Sequence, residues 1–379
     1  MQDEVIVLSH LRWDGVWQRP QQLISRLGRH RKIWFVEEPV TPPGRSVTDR
    51  RLAFEETGSV TRVWLEVPEQ GRHVGYEDDV IPDYADQLPK LVGPPQGQRV
   101  VWLYTPLALD IAVALRPTTI VYDVMDDLAS FKNAAPALVE QHLRTLHRAD
   151  VVFAGGRSLH RAVVEQGRHD AEFFPSGVSP EHYAAARCRT ADTKPKAGRS
   201  PVAGYVGVLD ERLDRRLIAD LAERLPEWEI RMIGPLAKLA PEQLPQASNI
   251  TYLGQQDYED LPRLMAEFDV ALMPFALSAQ TRSISPTKTL EYLACNLPVV
   301  STRVPDVVSE FGHVVYLRDD AAGFADACQM LRDLDRSNLQ PQLRRLLKRY
   351  HWDTIAERMA EHAFEPVEIL SDAATVVEV

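Results

Sequence analysis

"SPTKTLEYLACNLPVVST", Ser285–Thr302, compresses a helix start, an apolar helix face and a strand into one short run. Pro286 suits the first helical position, because the N–H it lacks is one the helix leaves unpaired anyway. Ser285 before it can cap the end. Leu290, Leu293, Ala294 and Leu297 recur at i, i+3, i+4 and i+7, the stripe of a helix lying on a core. "PVVST" follows at once and reads as a short buried strand. A helix chained directly to a buried strand is the repeat unit of a doubly wound α/β sheet. Lys288 and Glu291 lie off the stripe, near neighbours on one side of the helix. A cation in the first turn opposes the helix dipole by roughly a few tenths of a kcal/mol. An anion bound at that end reverses the argument, since the backbone N–H groups and the lysine both attract it.

Working outward, the same alternation fills the chain. Downstream of residue 201 it reads "VAGYVGV" strand, 214–224 helix, "EIRMIG" and "ITYLG" strands, 258–267 helix, "DVALMPF" strand, then the opening stretch. "HVVYL" is the last strand, and helices fill much of 321–363. Upstream, "VIVLSH", "KIWFVEE", "VTRVWLEVP", "VVWLYTP", "TIVYDV" and "DVVFAG" are strands. Helices are expected at 17–29, in "LALDIAVAL", and at 136–147 and 158–166. The polar, Pro- and Gly-bearing run "CRTADTKPKAGRSP" divides two α/β units of similar design, residues 1–187 and 202–350, with 188–201 as linker.

Composition limits the function classes. The chain has 379 residues, 45% hydrophobic and 26% charged, with net charge −11. That length fits two cores, and that charge argues against bulk nucleic-acid binding. Cys188, Cys295 and Cys328 match no zinc or disulfide spacing, which points to a reducing, cytoplasmic setting. No apolar run reaches transmembrane length, and "MQDEVIVLSH" reads as a strand rather than a signal peptide. One basic segment stands out: Arg12, Arg19, Arg26, Arg29, Arg31 and Lys32 face a single acid, Asp14. It fits a solvated helix face, or peripheral contact with anionic lipid or a diphosphate-bearing acceptor.

In open parallel sheets ligands bind beyond the carboxyl ends of the strands, so the strand-to-helix loops are the candidate site. In the second unit they carry Gly207 and Arg212 in "GYVGVLDERLD", Gly234 in "RMIGP", and Gly254 and Tyr258 in "YLGQQDYEDL". No G-x-G-x-x-G dinucleotide fingerprint is present. The helix end from Ser285 to Lys288 faces the same edge and makes a diphosphate site, with Glu291 one turn deeper, where it can accept from ribose hydroxyls. In the first unit "HLRWDGVWQRPQQL" gathers His10, Arg12, Trp13, Asp14, Trp17 and Arg19, a set that suits a carbohydrate or an amphipathic lipid head, or ordinary packing at a helix start. After "YDVMDDLASF", Asp123, Asp126 and Asp127 cluster at the end of a strand. A carboxylate there can act as general base on an acceptor hydroxyl, or cap and turn the chain. Asp126 is the first candidate for that base and Asp14 the second.

The segments "VAGYVGVLDERLD", "IRMIGP", "NITYLGQQDYEDLPRLMAEFDVALMPF" and "SPTKTLEYLACNLPVVSTRVPDVV" resemble the donor domain of GT-B glycosyltransferases, specifically the retaining family four (glycosyl transferases group 1) of bacterial polysaccharide type. "ADVVFAGGRSLHRAV" and "FFPSGVSPEHY" resemble that family's first domain, and "YHWDTIAERMAEHAF" its closing helix, so 351–379 would cross back to the first domain. The resemblance implies two Rossmann-like domains facing a cleft. It also implies a nucleotide sugar as co-substrate, UDP-linked before GDP-linked, and a saccharide or lipid-linked acceptor, with no further cofactor and no essential metal. Glu291 would hold the ribose, Thr287 and Lys288 would lie by the diphosphate, and Tyr258 near the base. The sequence departs from the family at Ser283, which replaces the first glutamate of Glu-x7-Glu, and at Val208, where many members carry an arginine. Donor sugar and stereochemical outcome therefore stay open. A sugar-nucleotide 2-epimerase and a catalytically silent nucleotide-sugar binder share the fold and remain alternatives.

Overall fold

Two largely parallel sheets organise the chain, and their central strands are apolar runs buried on both faces, as parallel sheets require. The computed structural model describes residues 2–44, 47–68, 75–77, 79–126, 136–191, 199–278, 281–282, 284, 286–334 and 340–364. The first half comprises β1 (Glu4–Leu8), α1 (Arg19–Leu27), β2 (Lys32–Val36), β3 (Arg51–Thr57), β4 (Val60–Glu66), α2 (Ile81–Val92), β5 (Arg99–Leu103), α3 (Leu109–Ala114), β6 (Thr119–Val124), α4 (Pro136–Arg148), β7 (Val151–Ala154), α5 (Arg157–Glu165) and β8 (Glu172–Phe173). Its sheet runs β3-β4-β2-β1-β5-β6-β7-β8, parallel except for the β3–β4 pair.

The second half comprises α6 (Ala184–Ala191), β9 (Val202–Val206), α7 (Arg215–Arg224), β10 (Glu229–Ile233), β11 (Ile250–Gly254), α8 (Leu261–Met265), β12 (Val270–Met273), α9 (Thr287–Ala294), β13 (Val299–Ser301), α10 (Pro305–Phe311), β14 (Tyr316–Leu317), α11 (Ala321–Arg332), α12 (Gln340–Arg349) and α13 (Trp352–Phe364). The order β11-β10-β9-β12-β13-β14 is parallel throughout. The order in which strands are added changes side between β9 and β12, and in the first sheet between β1 and β5. Crevices open at the carboxyl ends of strands at such switch points.

The sequence reading did not anticipate β3, α2, β8, α6 or α10. The expected linker, 188–201, overlaps α6, which runs to Ala191, and residues 192–198 lie outside the described residues. Val178, Tyr183 and Ala186, upstream of the expected linker, are buried in the core of the second sheet. Conversely α13 packs on α1 of the first half. Trp352, Ile355 and Met359 join Leu23, Ile24 and Leu27 in one buried cluster. Each such side chain removed from water contributes about 1.5–3 kcal/mol. The C-terminal helix is thus bound to the opposite domain from the sheet that precedes it. Gly177 lies where the chain leaves the first sheet. A Cβ there would meet the Tyr350 carbonyl oxygen at 2.6 Å, and Val178 bridges His351, so the two crossings run backbone to backbone.

Candidate functional site

The switch points face each other across one cleft of about 380 Å³, within the range of small-molecule sites, roughly 300–1,000 Å³. From the second domain it is lined by Gly207, Val208, Arg212, Gly234, Tyr258, Thr287, Lys288 and Glu291, and from the first by Asp14, Trp17, Arg19 and Asp126. Ser283, Ser285 and Asp127 lie outside the described residues. Pro286 takes the cap position itself and the helix starts at Thr287, so the expected start was one residue early. Lys288 Nζ donates to Glu291 Oε2 at 2.8 Å, and Glu291 is buried. This pair answers the electrostatic puzzle of the sequence: the lysine at a positive helix end is held by a carboxylate one turn on.

Gly207 and Gly234 end β9 and β10 with φ of +156° and +145°. A Cβ on Gly234 would stand 1.9 Å from the Gly207 carbonyl oxygen. The two strand ends therefore touch through backbone alone. Gly207 N donates to Ile233 O and Gly234 N to Gly254 O, both at 2.9 Å, which ties the three loops into one rim. Below them the Tyr292 hydroxyl accepts from Val206 N at 2.8 Å, so α9 and β9 are locked in register. Arg212 reaches this rim already paired. Its Nε lies 2.9 Å and its Nη2 2.7 Å from Asp210 Oδ2. Burial alone disfavours the guanidinium charge, but Asp210, and at longer range Asp126, raise its pKa.

Tyr258 departs from expectation in its surroundings. Its ring stacks on His182 at 4.1 Å and 2° and on Trp17 of the first domain at 6.3 Å and 30°. Gln22 Nε2 donates to its hydroxyl at 3.2 Å, and burial pushes the phenol up to about 12. His182 covers one ring face and Trp17 crowds the ring, so its edge is the part more open to a base.

In the first domain the structure divides the expected acceptor set. Trp17, Asp14 and Arg19 line the cleft; His10, Arg12 and Trp13 do not. Arg12 is a tether: Nη1 donates to Glu38 O at 2.6 Å and Nη2 to Pro39 O at 2.9 Å, with Glu37 beside it. Trp13 is buried on Phe35 and Trp17, and its backbone N–H donates to Glu37 Oε1 at 2.8 Å. Arg19 is buried, its Nε and Nη2 on the fully buried Asp123 and its Nη1 on Phe174 O at 2.9 Å. A buried charge needs such a partner, so Asp123 leaves the catalytic cluster and Arg19 is committed internally. Asp14 pairs with Arg62. Asp126 keeps its place on the cleft wall. His10 sits behind it with Nδ1 buried and without a hydrogen-bond partner. Burial lowers its pKa, while Asp126 and the Tyr104 backbone act against that shift. The basic segment is also largely spent: Arg26 bonds Asp353, Ser179 and Gln22, Arg29 pairs with Asp353, and Arg31 lies over Phe364.

Sequence reading missed Gln22, His182 and Asp306. The first two meet Tyr258 only through the tertiary fold. Asp306 is buried at the start of α5 of the other domain, accepting from Ser158 Oγ at 2.6 Å and Ser158 N at 3.1 Å. The only sequence hint is the glycine pair before Arg157, because a Cβ on Gly156 would meet Asp306 Oδ2 at 2.6 Å.

Residues 200–333 match the family model described as Glycosyl transferases group 1. Among curated proteins the chain is similar to TuaH of Bacillus subtilis (strain 168), provisionally named a teichuronic acid biosynthesis glycosyltransferase. It is 25% identical over 231 residues, 58% of this chain and 58% of that one, so the match spans little more than half of the relative. Among solved structures it is similar to a trehalose-6-phosphate structure from E. coli bound with UDP-2-fluoro glucose, with TM-score 0.68, 15% identity, and 95% and 98% of the two chains covered. It is also similar to Alr3699/HepE of Anabaena in complex with UDP and glucose, with TM-score 0.67, 16% identity, and 95% and 98% covered. These likenesses establish the two-domain GT-B fold over nearly the whole chain.

Proposed function

We propose that this chain, whose residues 200–333 carry a glycosyl transferases group 1 domain within a GT-B frame, is a glycosyltransferase. It moves a sugar from a nucleoside diphosphate donor, a UDP-sugar first and a GDP-sugar second, onto a saccharide or lipid-linked acceptor of polysaccharide or glycoconjugate assembly. The observation that carries the reading is the cleft in which Thr287, Lys288 and Glu291 face Trp17, Asp14 and Asp126. The donor diphosphate sits at the start of α9, where backbone N–H groups and Lys288 offset its charge as it leaves. On its arrival Lys288 exchanges Glu291 for phosphate, and the released carboxylate oxygen accepts from the ribose hydroxyls. The Gly207–Gly234 rim lets the backbone approach the donor closely. Two similar structures hold UDP or a UDP-sugar, which favours uridine. The base meets the Tyr258 edge and the neighbouring Gln255–Asp257 turn rather than a ring face.

Asp126 takes the proton of the acceptor hydroxyl, and closure of the cleft excludes water that would hydrolyse the donor. This role requires an inverted product, and the anomeric proton coupling of the product by NMR reads that outcome directly. We place the protein in the cytoplasm. Any membrane contact near the first helix falls on Arg29, just past its end, and Lys32, at the start of β2, the exposed cations there; among the described residues no helix is long and apolar enough to cross a membrane.

A thermal-shift panel of UDP, GDP, ADP and TDP with their sugars tests the donor assignment. The binding nucleotide at about 100 times its Kd stabilises by roughly 2.7 kcal/mol. No stabilisation by any of them removes the donor reading. Conversion of a donor sugar without acceptor would identify an epimerase instead. Asp126→Asn should abolish transfer while leaving nucleotide stabilisation intact; unchanged transfer removes Asp126 from the mechanism.

A further inference from the structure

At the opposite end of the helix that meets the donor lies a second cavity, of about 240 Å³, between α9, α6 and α12. It is lined by Arg187, Leu293, Asn296, Leu343, Arg344 and Leu347. Asn296 follows the helix in the left-handed region, φ +59°. Its side chain is 3% exposed, yet neither its amide nitrogen nor its amide oxygen has a hydrogen-bond partner. A buried unpaired amide is costly, and the helix end does not demand it. The carbonyls of Glu291, Tyr292 and Leu293 already accept from the backbone N–H groups of Cys295, Leu297 and Asn296. Glycine would meet the backbone requirement alone. Arg344 makes no hydrogen bond or ion pair among the described residues and borders the same space. Leu293, Leu343 and Leu347 are buried and give the cavity an apolar wall.

We propose that this cavity is a binding site for a small sugar monophosphate. Arg344 takes the phosphate, for which a guanidinium group is well matched, and Arg187 borders the same space. The Asn296 amide donates to one ligand oxygen and accepts from a ring hydroxyl, and the leucines cover the apolar face of the ring. At about 240 Å³ against about 380 Å³ for the donor cleft, the cavity suits a phosphorylated hexose rather than a nucleotide sugar with its acceptor. The site is separate from the donor cleft and does not depend on the reaction proposed there.

Titration calorimetry of the full chain tests it, with UDP saturating throughout to occupy the cleft. The probes are glucose 1-phosphate, glucose 6-phosphate and mannose 6-phosphate, with inorganic phosphate and glucose as comparators. At least one sugar phosphate should bind one saturable site, tenfold or more tighter than phosphate or glucose. Asn296→Gly and Arg344→Gln should each weaken that binding tenfold or more. Asn296→Gly should leave the melting temperature of the ligand-free chain unchanged or higher, since it removes the unpaired amide. Lack of saturable binding for all three sugar phosphates, affinity for glucose equal to theirs, or unchanged affinity in both variants overturns the proposal. The UDP titration run alone reports on the donor cleft, so failure there and failure here are read separately.

Discussion

Lys288 and Glu291 show how a single residue can be legible in type and yet depend on geometry for its meaning. The three-residue spacing places them together, and the structure closes the pair at 2.8 Å. If Glu291 anchors the ribose, Glu291→Ala removes hydrogen bonds to a charged group, each about 1.5–3 kcal/mol. Nucleotide-sugar Kd should then rise roughly 10- to 100-fold with folding intact by circular dichroism. An unchanged Kd contradicts the assignment. Other residues were misread because their partners are remote in sequence. Arg12, Trp13 and Arg19 look like a binding loop in one dimension, yet Glu37 and Asp123 claim them. Nothing in "HLRWDGVWQRP" announces that Asp123 will be its counter-charge. The same loop creates a titrating group. Burial pushes the Glu38 carboxyl up to about 7 from 4.5, with Arg12 acting the other way. The folded chain then holds a proton that the unfolded chain has lost. Stability from this group is full below pH 4.5 and is lost as pH climbs through about 7. Between pH 5 and pH 8 the urea midpoint of the wild type should fall more than that of Glu38→Gln. An equal fall in both would assign the pH dependence elsewhere.

Elements were legible where their pattern is local. The buried parallel strands are continuous apolar runs, and α9 announces itself by its stripe, so the sheets could be anticipated almost strand by strand. β3 and α2 could not. β3 is a largely exposed edge strand whose only ladder is antiparallel to β4 across Gly58, so it carries little apolar signal of its own. α2 contains Pro82 and Pro89, which argue against a helix until one sees that the first lies in the opening turn and the second near the end. The donor rim is also an element-scale object. Single glycines at 207 and 234 read as punctuation, but their function is contact between the ends of β9 and β10. Gly234→Ala therefore forces the two strand ends apart. Overpacking of this kind costs about 1–3 kcal/mol, which for a domain of this size lowers the melting temperature by roughly 2–12 °C at about 2–4 °C per kcal/mol. Nucleotide binding should fall with it, because the rim is displaced. A variant that melts and binds as the wild type does would show that the contact is slack.

At the scale of the molecule, the two domains meet on both sides of the cleft, and the contacts differ in kind. On one side Trp17 and Gln22 hold Tyr258 by stacking and a neutral hydrogen bond. On the other, Asp306 of α10 is seated on the first turn of α5, and Glu310 of the same helix pairs with Arg157 and accepts from the Tyr350 hydroxyl. The carboxylate of Asp306 is 1% exposed. The first turn of α5 supplies N–H donors and about half a positive charge, so the second domain is capping a helix of the first. Asp306→Asn keeps the shape but removes the charge, weakening hydrogen bonds worth about 1.5–3 kcal/mol each when one partner is ionised. Asp306, Glu310, Arg157 and Tyr350 do not line the main cleft and border only a smaller pocket behind Thr287. Nucleotide affinity should therefore change less than threefold, while transfer, which needs both domains in register, falls tenfold or more. Donor hydrolysis relative to transfer should rise as water enters. The radius of gyration by solution scattering should increase in the variant with UDP bound. Equal loss of nucleotide affinity and of transfer would place Asp306 in the fold of its own domain, and an unchanged transfer rate would mean that the Trp17–Tyr258 side alone fixes the domain register.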